Sequence, residues 1–232
     1  MKQVVQFSDV LEKTGYDPTP AGKEEVKAYS ELFTNSFPAF FRDYLSQCGN
    51  NTEPRNVVAH GTGARIQDLT WFKQNYLDTG KATLPVGAIL YEYDTQIGEV
   101  YYFVPTESGK DGPVFAATLK GTLKQRIADS FENHVQQVEF NRSNFFGEAN
   151  IKSFTVNADG LKIADALKKV DFKVEDFSDS VIVCATGADK LKLYGERRAN
   201  GEMAMIAVYT GINTMPIGRL EELTTQITAL IR

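Results

Sequence analysis

Residues 84–119, LPVGAILYEYDTQIGEVYYFVPTESGKDGPVFAATL, compress three strand-like runs and two turn clusters into one stretch, and this constrains the fold more than any other feature. Residues 89–94 and 99–104 are rich in β-branched and aromatic side chains, and the four residues between them end in Gly98, as a hairpin loop requires. These two runs are expected to pair antiparallel. Lys110-Asp111-Gly112-Pro113 forms the second turn cluster, and a third run over 114–118 completes a meander. Along the second run, Glu99, Tyr101 and Phe103 share one face while Val100, Tyr102 and Val104 share the other. Both faces are largely apolar, so helices must cover at least one of them.

The chain of 232 residues is long enough for two small domains, and its 42% hydrophobic content is that of a folded chain rather than a disordered one. Its net charge of −5 falls wholly within the first 150 residues, where 14 Lys and Arg face 19 Asp and Glu. An acidic front half disfavours generic binding to nucleic acid and suits a basic partner. Cys48 and Cys184 are too few for a disulfide framework or a four-thiolate zinc site, and are expected to be free, buried thiols. The start of the chain has no apolar core of signal-peptide length, and no run approaches the roughly 18 apolar residues of a membrane span. A cytoplasmic protein is expected.

Upstream of the meander, Asp17-Pro18-Thr19-Pro20 leads into an amphipathic helix to Asn35, with Val26, Tyr29, Leu32 and Phe33 on its apolar side. Pro38 opens a second helix with a stripe of Phe37, Phe40, Phe41, Tyr44 and Leu45, stopped at Gly49-Asn50-Asn51. Residues 56–60 suit a short strand, and residues 68–77 read as a short helix or an aromatic loop. Downstream, Ile127, Phe131, Val135 and Val138 predict a helix over 124–141. The loss of periodicity over 141–150 marks the expected boundary between a domain at 1–143 and another at 150–232. The second domain reads as β-α-β-β-β-α: a strand at 151–156, a helix at 159–169, a strand at 181–185, a hairpin around Ala199-Asn200-Gly201 and a final helix from Pro216. The fold class expected for the whole chain is α+β.

Catalytic signatures fail on inspection. Ala59-His60-Gly61-Thr62-Gly63 resembles a glycine-rich oxyanion loop, but no nucleophile elbow accompanies it, and His134, the other imidazole, lies within a predicted helix. Asp78-Thr79-Gly80-Lys81-Ala82-Thr83 lacks the first glycine of a phosphate loop and the hydroxyl after its lysine. Two scattered histidines and two cysteines offer no metal-ligand spacing, and no cofactor motif is present. Lys190, Lys192, Arg197 and Arg198 on the second hairpin read as edge protection rather than a phosphate-binding patch. Glu92, Asp94 and Glu99 cluster about the first hairpin loop and Asp111 marks the next turn, so an acidic contact rim is the expected binding surface. Tyr91 and Tyr101 are added as anchors should their rings face outward.

Over residues 18–140 the ordered signals resemble the SUKH superfamily, the Smi/Knr-like proteins. The first piece is Phe37-Pro38-Ala39-Phe40-Phe41-Arg42-Asp43-Tyr44-Leu45 after an acidic helix, followed by Gly49-Asn50. Leu84-Pro85-Val86-Gly87 is similar to the family's entry into its sheet. Gly98-Glu99-Val100-Tyr101-Tyr102-Phe103 and Gly112-Pro113-Val114-Phe115 resemble two of its strands, and Ser130-Phe131-Glu132 the start of its last helix. Gly49-Asn50 reverses the usual order, the loop over 51–83 is long, and Glu99 stands for the more usual aspartate. The resemblance implies an α+β binding domain without catalytic residues and, as in bacterial members, an immunity protein that neutralises a toxin, often a nuclease, by direct binding. A regulatory scaffold that recruits cellular proteins is the alternative, and a hydrolase using His60 a weaker one.

Overall fold

The structure, a computed structural model, describes residues 19–50, 65–145, 148, 151–188, 190–209 and 218–231. The class is α+β, with a four-stranded and a five-stranded antiparallel sheet among the described residues. The chain divides into two compact units between Val135 and Gln136, N-terminal to the loss of periodicity at 141–150.

In the first unit, α1 (Lys23–Ser30) begins where the Gly22 N–H donates to Glu25 Oε2 at 2.7 Å, and it buries Val26 and Tyr29. Pro38 caps α2 (Ala39–Cys48), whose buried face is Phe41, Tyr44, Leu45 and Cys48. Residues 68–77 are helical: α3 (Ile66–Phe72) widens into a π-helical turn, Lys73–Leu77. The meander follows as β1 (Ile89–Asp94), β2 (Glu99–Phe103) and β3 (Val114–Thr118), then adds β4 (Leu123–Ala128) at its edge.

That fourth strand corrects the helix expected over 124–141. Lys124 and Arg126 alternate with Leu123, Gln125 and Ile127, a period of two that pairs with β3. The helical spacing is genuine only beyond Ser130, whose hydroxyl accepts from the Asn133 N–H at 3.0 Å, so α4 runs Phe131–Phe145.

Phe131 is the hub of the first core. Its ring meets those of Phe41 (4.9 Å), Phe103 (5.3 Å), Tyr44 (5.3 Å) and Tyr91 (5.1 Å), so α2, both hairpin strands and the first turn of α4 converge on one aromatic cluster. Tyr91 reaches it because β1 carries one extra residue there: Leu90 faces Tyr102, yet Glu92 faces Tyr101. All six residues of β1 are buried as a result.

The second unit has one strand more than expected. Its strands are β5 (Lys152–Val156), β6 (Phe172–Val174), β7 (Ile182–Gly187), β8 (Leu191–Arg197) and β9 (Met203–Tyr209), in spatial order β5-β9-β8-β7-β6. Three residues of β6 are too few to show a period. Helices α5 (Gly160–Lys169) and α6 (Arg219–Ile231) bury Ile163, Leu167, Leu223 and Ile227 with Val183, Leu193, Met205 and Ala207 from one sheet face. From the opposite face, Ile182, Cys184, Tyr194 and Val208 meet Phe140 and Phe145. Because β8 lies between β7 and β9, the edge-protection reading of Lys192 and Arg197 is corrected. The Lys192 ammonium instead donates to Thr186 Oγ1 at 3.0 Å and lies 5.7 Å from the centre of the Phe140 ring.

Candidate protein-binding surface

The β1–β2 hairpin is built by its own carboxylates. Asp94 accepts from the backbone N–H groups of Gln96 (2.8 Å) and Ile97 (3.2 Å), and Gly98 takes the left-handed conformation, φ 74°, that closes the loop. Glu99 accepts from the Tyr101 hydroxyl at 2.6 Å and pairs with Lys124 of β4. Burial, then the hydrogen bond and charge of Glu99, then the charges of Glu92 and Asp94, push the Tyr101 hydroxyl far above the usual tyrosine range. These three carboxylates are thus gathered around one phenol, and most of their surface is turned from solvent.

The accessible acidic rim is therefore corrected. Glu92 is 0% exposed, and Tyr91 and Tyr101 are 3% and 6% exposed, so all three belong to the core. The bulge at Tyr91 turns consecutive side chains of β1 inward, while Tyr101 sits on β2, paired on both sides by β1 and β3. Asp94 is 9% exposed and occupied by its turn. Asp111 is half-buried and holds the start of α4: its carboxylate accepts from the N–H groups of Phe131 (2.9 Å), Glu132 (2.8 Å) and Gly112 (2.7 Å). Of the six candidates, Glu99 stands at the hairpin end and is engaged by Lys124.

Residues that the sequence reading did not select supply the exposed surface at that end. Ile97 is 58% and Leu123 55% exposed, each next in the chain or nearly so to a member of the Glu99–Lys124 pair. The Leu119 N–H donates to Gly98 O at 3.0 Å, tying the two turns together. The available signal was the Gly121-Thr122 turn before the charge alternation of β4, outweighed in sequence by the helical spacing that follows it. Trp71, 48% exposed, is a separate surface aromatic on α3.

Among the described residues, no group of three or more histidine, cysteine or carboxylate side chains could hold a metal ion. Burial pushes the Cys184 thiol well above its usual range, which withholds the thiolate. His134 is buried 5.9 Å from the Tyr91 ring, and His60, the residue of the hydrolase reading, lies outside the described residues. A cleft of about 410 Å³ in the first unit is lined by Leu32, Phe33, Leu77, Leu84 and Pro85, with Lys73 and Asp78 paired on its wall. Another, of about 480 Å³ in the second unit, is lined by Lys169, Asp171, Arg219 and Gln226. Neither has a histidine, cysteine or serine in its described lining.

No described helix is long and apolar enough to cross a membrane. Comparison with family models, curated proteins and solved structures returned no significant match.

Proposed function

We propose that the chain is a non-catalytic, cytoplasmic protein-binding module of the toxin-neutralising kind, with SUKH-like character in its first unit. One observation carries the reading: three of the short segments on which the resemblance rests meet in a single structural nucleus. Phe41 from the proline-led helix, Phe103 from the second strand and Phe131 from the Ser-Phe-Glu segment pack within 4.9–5.3 Å of one another. The missing metal spacing and nucleophile motifs of the sequence also favour binding over catalysis.

The partner in this reading is a toxin with a basic surface, steered by the net charge of −5 and seated on the apolar residues Ile97 and Leu123. Co-expression tests it. The chain should rescue growth of cells making the toxic domain encoded beside its own gene. The double variant Ile97→Lys/Leu123→Lys should lose rescue while remaining folded, because exposed positions tolerate lysine within about 0.5 kcal/mol. Association should slow as salt is raised. Full rescue by the double variant would eliminate this surface, and absence of rescue by the parent chain would eliminate the toxin assignment.

A further inference from the structure

A β-sheet edge offers unpaired N–H and C=O groups, and soluble proteins blunt such edges with charge, bulges, proline, brevity or a covering element. Three of the four sheet edges here are managed. β1 is buried along its length and bulged at Tyr91. β4 pairs with β3 through two irregularities and carries Lys124 and Arg126. β6 has only three residues. The fourth edge, β5, has no bulge and no proline, and among the described residues no strand covers it.

Over five residues β5 pairs with β9 in unbroken register, Lys152 with Ala207 through Val156 with Met203. It contains no proline and one charge, at its first position. Lys152, Ser153 and Thr155 are exposed, Phe154 is partly buried against the core and Val156 is buried. Among the described residues no strand pairs with its outer side.

We propose that β5 is a homodimerisation strand, pairing antiparallel with β5 of a second copy about a two-fold axis at Phe154. The segment is self-complementary in that register. Phe154 faces its own mate, Ser153 faces Thr155 of the other copy, and Lys152 faces Val156, so no like charges are opposed. The register also satisfies backbone parity. A two-fold at Phe154 maps residues 153 and 155 onto each other and 152 onto 156, so outward-turned amides meet outward-turned carbonyls in either phase of the pleat. Two five-residue strands bury far less than the roughly 800 Å² per partner of a standard interface, so the dimer is expected to be weak, with a dissociation constant of about micromolar or higher. This pairing is independent of the toxin-binding reading.

Sedimentation equilibrium of the full chain over a wide concentration range tests it. The parent chain should show a reversible monomer–dimer equilibrium. Ser153→Lys/Thr155→Lys sets lysines opposite each other twice across the axis and should raise the dissociation constant at least about tenfold. Ser153→Lys/Thr155→Glu sets lysine opposite glutamate twice and should return it to within about threefold of the parent. Far-UV circular dichroism checks that each variant is folded, and should the Lys/Lys variant not fold, Ser153→Glu/Thr155→Glu, which sets glutamates opposite each other twice, takes its place with the same expected rise. A parent chain that sediments as a monomer throughout would overturn the proposal, as would a dimer whose constant is the same in the parent and in a folded like-charge variant.

Discussion

Removing the Asp111 carboxylate tests the structure most directly, because sequence and structure give that residue different roles. A surface carboxylate on a contact rim can be deleted with a change within about 0.5 kcal/mol. In the structure the same group accepts from Phe131 N–H and Glu132 N–H at 2.9 and 2.8 Å, fastening the turn before β3 to the start of α4. Losing a helix cap costs about 0.5–2 kcal/mol, and hydrogen bonds to a charged acceptor lie at the upper end of the hydrogen-bond range. The site is half-buried, so water replaces part of what is lost, and Asp111→Ala is expected to destabilise the first unit by about 2 kcal/mol. Asp111→Asn, which retains one acceptor oxygen, should cost about half as much. The chain has a single tryptophan, Trp71, whose ring lies 5.6 Å from Tyr76 in the first unit, so its fluorescence during urea unfolding reports on that unit. With a urea dependence of about 1–3 kcal/mol per molar, the Ala variant should shift the midpoint by about 1 M. Glu107→Ala is the control, since Glu107 and its partner Lys110 are 70% and 67% exposed. Equal midpoints for Asp111→Ala and Glu107→Ala would refute the capping role.

A second substitution probes the turn before β3, and a third the pH dependence of the second unit. A Cβ on Gly112 would stand 2.0 Å from Val104 O, a backbone atom held by the 3.0 Å bond from Val104 N–H to Pro113 O, so Gly112→Ala should cost the first unit about 3 kcal/mol in the same fluorescence assay. Burial raises the Glu139 carboxyl above its ordinary value, against the smaller lowering effects of Ser143 and Arg142. A raised folded value means this group favours the folded state below the unfolded value of about 4.3 and loses that contribution as pH rises through the folded value. Glu139→Gln should therefore gain stability relative to the parent as pH is taken from about 4 to 7, read from amide exchange of β7 to β9. A difference between the two chains that does not vary with pH would count against this.

Local sequence determined the elements whose signals are local. The turn at Asp94 to Gly98, the runs that become β1, β2 and β3, the helix opened by Pro38 and the Asn200-Gly201 hairpin all follow from residues within a few positions of one another. Backbone sterics and side-chain alternation act at that range. The α+β class follows from the order of those elements. Two kinds of feature were decided only by tertiary structure. Where competing periods overlapped, as at Leu123 to Phe131, pairing with β3 chose strand over helix. Burial of polar groups was equally nonlocal: Glu92 and Tyr91 turn inward through a one-residue bulge, and Asp111 is claimed by amides twenty residues downstream. A carboxylate in sequence carries its charge but not its neighbours, and whether it meets solvent or a helix end depends on contacts that form when distant segments pack.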